Sequence, residues 1–216
     1  MKLLNFESEG VSHFGLALES YAVSFAHLLA DDGRQNHFLG DMMAYLENLP
    51  DSFSLALELQ KKANGLIARQ ETQGFLLLDR VRIRPVLPLP AALIDFGLTP
   101  RHLINSAKTM FKHQFGAVFG GLASAVLAGK IKKMSGVAPH PYYKGNHLTV
   151  IGDHDAIDWP AYTSYLDIEP ELGIVTGNSP DKIAGYTIFN DASARDIQFQ
   201  EMIGTGPARS KDFVRR

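Results

Sequence analysis

From Leu166 to Ile174 apolar and acidic residues alternate. Leu166, Ile168, Leu172 and Ile174 occupy one set of positions, and Asp167, Glu169 and Glu171 the other. Only an extended chain sends such sets to opposite faces, because side chains two apart in a strand share a face. The spacing predicts one strand that buries its apolar side and presents its acids together. Like charges held that close repel unless a proton or a cation lies between them. Tyr186, Ile188 and Phe189 suggest a second strand, running into Asn190-Asp191, and Ser193–Gln198 reads as a short helix. Asp191, Arg195 and Gln198 then fall at i, i+4 and i+7 on one helical face. An Asp191–Arg195 pair on such a face would stabilise an exposed helix by only ~0.3–0.5 kcal/mol. A third acid at a strand end can complete an all-oxygen site for Mg²⁺ or Ca²⁺.

The remaining sequence limits the choices. The 216 residues are 45% hydrophobic, enough for a substantial core. A formal net charge of −2 gives no reason to expect nucleic acid or an anionic membrane as partner. The absence of cysteine excludes disulfides, thiolate catalysis and iron–sulfur clusters, and fits a reducing compartment. MKLLNFESEG has too short an apolar run for a signal peptide, and the uncharged run Phe115–Gly129 is too short to span a bilayer. A soluble, cytoplasmic protein is expected.

In the N-terminal part, Lys2–Glu7 and His13–Glu19 read as a hairpin across Ser8-Glu9-Gly10. A helix is expected over Leu39–Leu49, closed by Pro50, and a second one capped by Ser52 and reaching Arg69. Phe75–Pro88 reads as extended. Thr99 and Pro100 look like the cap and first residue of a helix with His102 in its first turn. Gly116 and Gly120 suggest close packing of a buried helix. His140, His147 and His154 recur every seven residues, but the glycines between them argue against a metal triad. Leu148–Ile151 reads as a strand.

YTIFNDASARDIQ, preceded by the E-x-E pair and followed by Ser210-Lys211-Asp212-Phe213, resembles the fumarylacetoacetate hydrolase family over roughly Asp95 to Phe213. The resemblance implies an α+β protein. A mixed β-roll would carry the site, with helices beside it and a small variable region before it. The expected division is 1–90 and 91–216. It also implies a site. Glu169, Glu171, Asp191 and Asp95 would bind Mg²⁺, or Ca²⁺ or Mn²⁺. His102, seven residues after Asp95, would act as general base. Lys211 would stabilise developing negative charge. Arg195 and Gln198 would orient metal ligands or substrate oxygens, and Tyr143 would contact the substrate.

The chemistry implied is metal-dependent hydrolysis of a C–C bond in a β-diketo acid of fumarylacetoacetate or acylpyruvate type. Decarboxylation or isomerisation of related keto acids are alternatives within the family. The family continues past its Ser-Lys-x-Phe, through strands that close the roll. An ending at Arg216 therefore implies a C-terminally shortened member, and a non-catalytic fragment that still binds metal is a further alternative. The implied partner is a small keto acid, with neither nucleic acid nor membrane. Family members are often dimers, so a homodimer is allowed.

Overall fold

The computed structural model describes residues 1–135, 140, 142–177, 182–201 and 206–212. Phe213 of the Ser-Lys-x-Phe, the terminal arginines Arg215 and Arg216, and Pro141 lie outside the described residues. The chain divides into two compact units, each assembled from separate stretches. The first comprises Met1–Leu89, Val150–Ala156 and Leu172–Phe189; the second Pro90–Thr149, Ile157–Glu171 and Asn190–Arg216.

The first unit opens with β1 (Leu3–Ser8) and β2 (Val11–Leu18), the expected hairpin. Glu9 and Gly10 both have positive φ, 52° and 78°, as a two-residue type I′ turn requires. β3 (Tyr21–Ser24) pairs with β2 and runs straight into α1 (Phe25–Asp31). Ser24 caps that helix by accepting from the His27 amide. α2 (Met42–Glu47) and α3 (Asp51–Ala68) follow. β4 (Leu76–Leu77) and β5 (Arg82–Ile83) close the two edges of an antiparallel sheet ordered β4-β3-β2-β1-β5. Leu16, Val23, Phe25, Leu28, Tyr45 and Leu59 fill the space between sheet and helices, all essentially buried.

Three local expectations need correction. The helix expected over Leu39–Leu49 is a 3₁₀ turn at His37–Leu39 followed by the shorter α2. It starts late because Asp41 caps it, accepting from the Ala44 amide at 2.8 Å. Ser52 is not the cap of α3. It lies inside the first turn, and its buried hydroxyl donates to the Tyr45 carbonyl at 2.6 Å, tying α3 to α2. His147–Thr149 is a 3₁₀ turn, not a strand, because Asn146 caps it through the Leu148 amide.

Gly15 in β2 is a sharp test of this packing. A Cβ there would lie 1.9 Å from the Val23 carbonyl oxygen and 2.7 Å from Ser24 Cα, both backbone atoms that cannot swing aside. Gly15→Ala is expected to destabilise the protein by about 1–3 kcal/mol or more. Urea denaturation checks this, and a wild-type midpoint would show that the strands can part without cost.

In the second unit β6 (Leu93–Phe96) precedes α4 (Pro100–Ser135), which begins at Pro100 as expected. α4 is two helices joined at Gly116, where φ is 76° and ψ 171°. The reading of Gly116 and Gly120 as the packing surface of one buried helix is therefore corrected. Gly116 supplies a left-handed bend. Gly120 lies against the first half, where a Cβ would sit 2.4 Å from the Phe111 carbonyl oxygen. Phe115, Val118, Phe119, Leu122 and Val126 are exposed. Pro100–Lys133 is long and apolar enough in composition to cross a membrane. The break at Gly116 leaves neither half with the ~20 consecutive apolar residues that a span needs.

β7 (Tyr142–Gly145) pairs antiparallel with β6, and β8 (Leu166–Asp167) with β11 (Ser193–Ala194). Between them in sequence, β9 (Pro170–Thr176) and β10 (Ile183–Asn190) form a two-stranded sheet. α5 (Arg195–Glu201) follows β11. The single alternating strand expected over Leu166–Ile174 is thus two strands with different partners. They part next to Pro170, which has no amide hydrogen to continue the ladder. Its apolar side also faces outward: Ile168, Leu172 and Ile174 are exposed, whereas Glu171 and Val175 are half-buried.

Candidate functional site

The site is assembled from three places in the second unit. β6 and β7 set Asp95 directly opposite Tyr143 in their antiparallel register. Such cross-strand partners have side chains in contact range. The Tyr143 hydroxyl donates to Asp191 Oδ2 at 2.5 Å, bringing the second segment in. That segment is held to the E-x-E segment by backbone bonds. The Asp191 amide donates to the Glu169 carbonyl at 3.0 Å, and the Glu169 amide to Asn190 Oδ1 at 3.1 Å. Ser193, fully buried, sets its hydroxyl within bonding reach of Glu169 Oε2 and the Asp191 carbonyl. The third place is the turn before Lys211. Lys211 Nζ donates to Glu169 Oε2 at 2.6 Å and to Asp191 Oδ2, and lies 4.0 Å from Asp95 Oδ2.

Asp95, Glu171 and Asp191 each bring a carboxylate oxygen into a group whose members all lie within 4.8 Å of one another. Glu169 sits beside them with its oxygens otherwise engaged. Its Oε1 accepts from Arg195 Nη2 at 2.7 Å and lies 3.1 Å from His102 Nε2; its Oε2 takes Lys211 and Ser193. Arg195 also bonds Asp167 Oδ2 at 2.9 Å and Gln198 Oε1 at 2.8 Å. The pairing of Arg195 with Asp191 along one helical face is corrected here. Asp191 lies outside α5, which begins at Arg195, and the guanidinium turns to Glu169 and Asp167 instead. His102 is half exposed on the first turn of α4, with Ser106 Oγ 3.4 Å from its Nε2.

The charges do not balance. Among the described residues, Asp95, Asp167, Glu169, Glu171 and Asp191 surround two cations, Lys211 and Arg195. Burial, then the charges of Asp95 and Asp191, push the Glu171 carboxyl up to about 7. Burial likewise raises Asp95, with Lys211 opposing and Asp191 adding. Burial acts upward on Glu169 too, but the hydrogen bonds and charges of Lys211 and Arg195 outweigh it and hold it at about 2. Tyr143 is held well above the ordinary phenol range by burial and then by the Asp191 charge, so it is a neutral donor. Burial opposes the Lys211 charge, yet Asp191 and Glu169 raise it, so Lys211 is a cation.

Three carboxylates gathered this closely, all offering oxygen, with burial holding Asp95 and Glu171 above the ordinary carboxylate range, fit a hard divalent cation. The acidic group unites Asp95, Glu171 and Asp191, and Lys211 joins it to Glu169. Ser193, Asp167 and Glu201 were not singled out as site residues from sequence. Asp167 carries a signal as the first of the alternating acids, and Ser193 as a small polar residue two places after Asp191, inside YTIFNDASARDIQ.

Residues 117–215 match the family model for the fumarylacetoacetate (FAA) hydrolase C-terminal region. This stretch belongs to the fumarylacetoacetate hydrolase family. An uncharacterized protein of Archaeoglobus fulgidus is 38% identical over 73 residues, covering 30% of this chain and 28% of the relative. A solved structure of a fumarylacetoacetate hydrolase from psychrophilic Exiguobacterium antarcticum matches with a TM-score of 0.54 at 17% identity. That match covers 99% of this chain and 62% of the other. This chain thus spans less than two thirds of either relative, and the structural likeness supports the α+β fold of this family.

Proposed function

We propose that this chain is a divalent-metal-dependent hydrolase that cleaves a C–C bond in a β-diketo acid of acylpyruvate type. The observation that carries the reading is the group formed by Asp95, Glu171 and Asp191, with Lys211 at its edge and His102 next to Glu169. Asp95, Glu171 and Asp191 would hold Mg²⁺ or Mn²⁺, and Glu169 would adjoin them. Held there, such a cation would supply Lewis acidity toward a keto oxygen and toward developing negative charge.

The chain's own residues supply the rest. His102, whose Nε2–H is donated to Glu169, takes a proton from water on its other ring nitrogen, Nδ1, and the hydroxide adds to the distal carbonyl carbon. Glu169, 3.1 Å away, orients the imidazole. The C–C bond then breaks, its electron pair goes to the carbon next to the remaining keto acid, and that carbon takes up a proton. One carboxylic acid and one shorter keto acid leave. Lys211 offsets negative charge as it develops. Tyr143 donates a hydrogen bond without ionising and keeps Asp191 in place. Arg195, bridged to Gln198, keeps Glu169 ionised. The work would take place in the cytoplasm on a small keto acid.

The test is a panel of acylpyruvates and oxaloacetate assayed with and without Mg²⁺ or Mn²⁺, alongside melting curves. Metal is expected to raise the melting temperature and to be required for acylpyruvate cleavage. His102→Ala should lower kcat by about 10²- to 10⁴-fold. Turnover of oxaloacetate alone would replace the hydrolase with a decarboxylase. Metal-induced stabilisation without any turnover would leave a binding protein, and no stabilisation would remove the metal itself.

A further inference from the structure

Glu201 ends α5 and is 5% exposed, with its carboxylate turned onto the chain that follows. It accepts from the amides of Ala208 at 3.1 Å, Arg209 at 2.8 Å and Ser210 at 3.0 Å, and from Arg209 Nε at 3.1 Å. These four bonds match the lone-pair sites a carboxylate has. An acid in the last turn of a helix opposes the helix dipole, so dipole and propensity do not explain it. A buried carboxylate is tolerated where donors converge on it, and here the donors are three consecutive amides of one turn.

We propose that Glu201 is the positioning residue for Lys211. The turn it folds is tied at two further points. The Ser210 carbonyl accepts from the Ala194 amide at 2.7 Å, and the Arg209 carbonyl from the Tyr162 hydroxyl at 2.8 Å. Lys211 is the next residue. Its side chain is 7% exposed and its ammonium lies on Glu169 and Asp191, 5.2 Å from the centre of the Tyr143 ring. One short helix therefore sets both cations of the site. Arg195 at its start reaches Glu169 directly, and Glu201 at its end fixes the turn that delivers Lys211 to the same carboxylate. The Lys211 and Asp212 amides close the turn onto the Ala208 carbonyl, and among the described residues the Ala194–Ser210 bond is its backbone tie to a strand. Loss of Glu201 leaves three amides unpaired and frees the lysine to swing out.

The inference rests on Lys211 being the cation of the proposed site, but its test needs no turnover. Lysine acylation followed by peptide mass spectrometry reads Lys211 directly. In the folded wild-type chain Lys211 should resist acylation. In Glu201→Ala it should react at least about tenfold faster, while Lys62 in the other unit keeps its wild-type rate. Glu201→Ala and Lys211→Ala should shift the Mn²⁺ dissociation constant in the same direction and by a similar factor, and the double variant should go no further. A folded Glu201→Ala chain with Lys211 still protected overturns the proposal, as do effects on Mn²⁺ that multiply in the double variant. If Glu201→Ala does not fold, amide exchange in the wild-type chain decides. The Ala208, Arg209 and Ser210 amides should exchange at least about 100-fold slower than in a free peptide, and exchange at the free rate overturns the assignment. A wild-type chain that turns over no keto acid while Lys211 behaves as described would count against the reaction and leave the positioning role standing.

Discussion

Asp191→Ala is expected to weaken Mn²⁺ binding by more than about 100-fold and to abolish turnover. Loss of an outer partner of a metal ligand already costs about 10- to 100-fold. Asp191 does more than an outer partner. Its carboxylate belongs to the group with Asp95 and Glu171, and it also receives the Tyr143 hydroxyl and the Lys211 ammonium. Removing it takes away a candidate ligand and the acceptor that draws β7 and the Lys211 turn together. The metal should also matter more as pH rises. Glu171 sits at about 7 in the folded chain against an ordinary 4.5, because burial and neighbouring acids favour its neutral form. Its contribution to stability is therefore fully present below about 4.5 and is lost as pH climbs through about 7. A cation favours the ionised form, so the stabilisation by Mg²⁺ should grow across that window. Isothermal titration with Mn²⁺ and melting curves between pH 5 and 8 measure both effects. Wild-type Mn²⁺ affinity in Asp191→Ala would mean that any metal is held elsewhere.

The chemistry of the site was more legible in the sequence than its geometry. Glu171, Asp191 and Lys211 stand in an order that a motif can carry, because each is fixed to a neighbouring turn or strand end. Asp95 depends on β6 meeting β7, and nothing near Tyr142–Gly145 announces a strand whose partner lies on the far side of α4. Periodicity misled for a physical reason. Alternation specifies two faces but not which one is covered. Here Glu171 is drawn inward to Asp95 and Asp191 and Val175 packs into the first core, so Leu172 and Ile174 are left outside. Arg195 shows the same limit. Helical spacing pointed it toward Asp191, but α5 begins at Arg195 itself, and the strand end before it lies beside Asp167 and Glu169. The hairpin at Glu9-Gly10 was readable because its turn is a property of two adjacent residues.

Arg195→Ala should destabilise the second unit by about 3 kcal/mol, within the 3–5 kcal/mol typical of breaking a buried ion pair from one side. Arg195 is 8% exposed and Glu169 7%, so water cannot replace the lost guanidinium without opening the fold. The variant takes the guanidinium from three acceptors at once: Asp167 Oδ2, Gln198 Oε1 and Glu169 Oε1, which among the described residues keeps only His102. Lys211 still holds Glu169 Oε2, which keeps the loss toward the lower end of that range. Arg195→Lys retains the charge but has no planar fork to reach all three, so it should fall between wild type and alanine. The pH dependence gives a second, independent reading. Glu169 sits at about 2 in the folded chain against an ordinary 4.5, so its stabilising effect is present above about 4.5 and fades as pH falls toward 2. Without Arg195 the carboxyl rises toward its ordinary value, and the advantage of the wild-type chain over Arg195→Ala should shrink in acid. Trp159, the one tryptophan, lies in the second unit with its indole bonded to the Thr163 carbonyl, so its fluorescence follows that unit through a urea titration. A loss below about 1 kcal/mol at pH 7 would be typical of an exposed pair. It would mean that Lys211 alone keeps Glu169 charged.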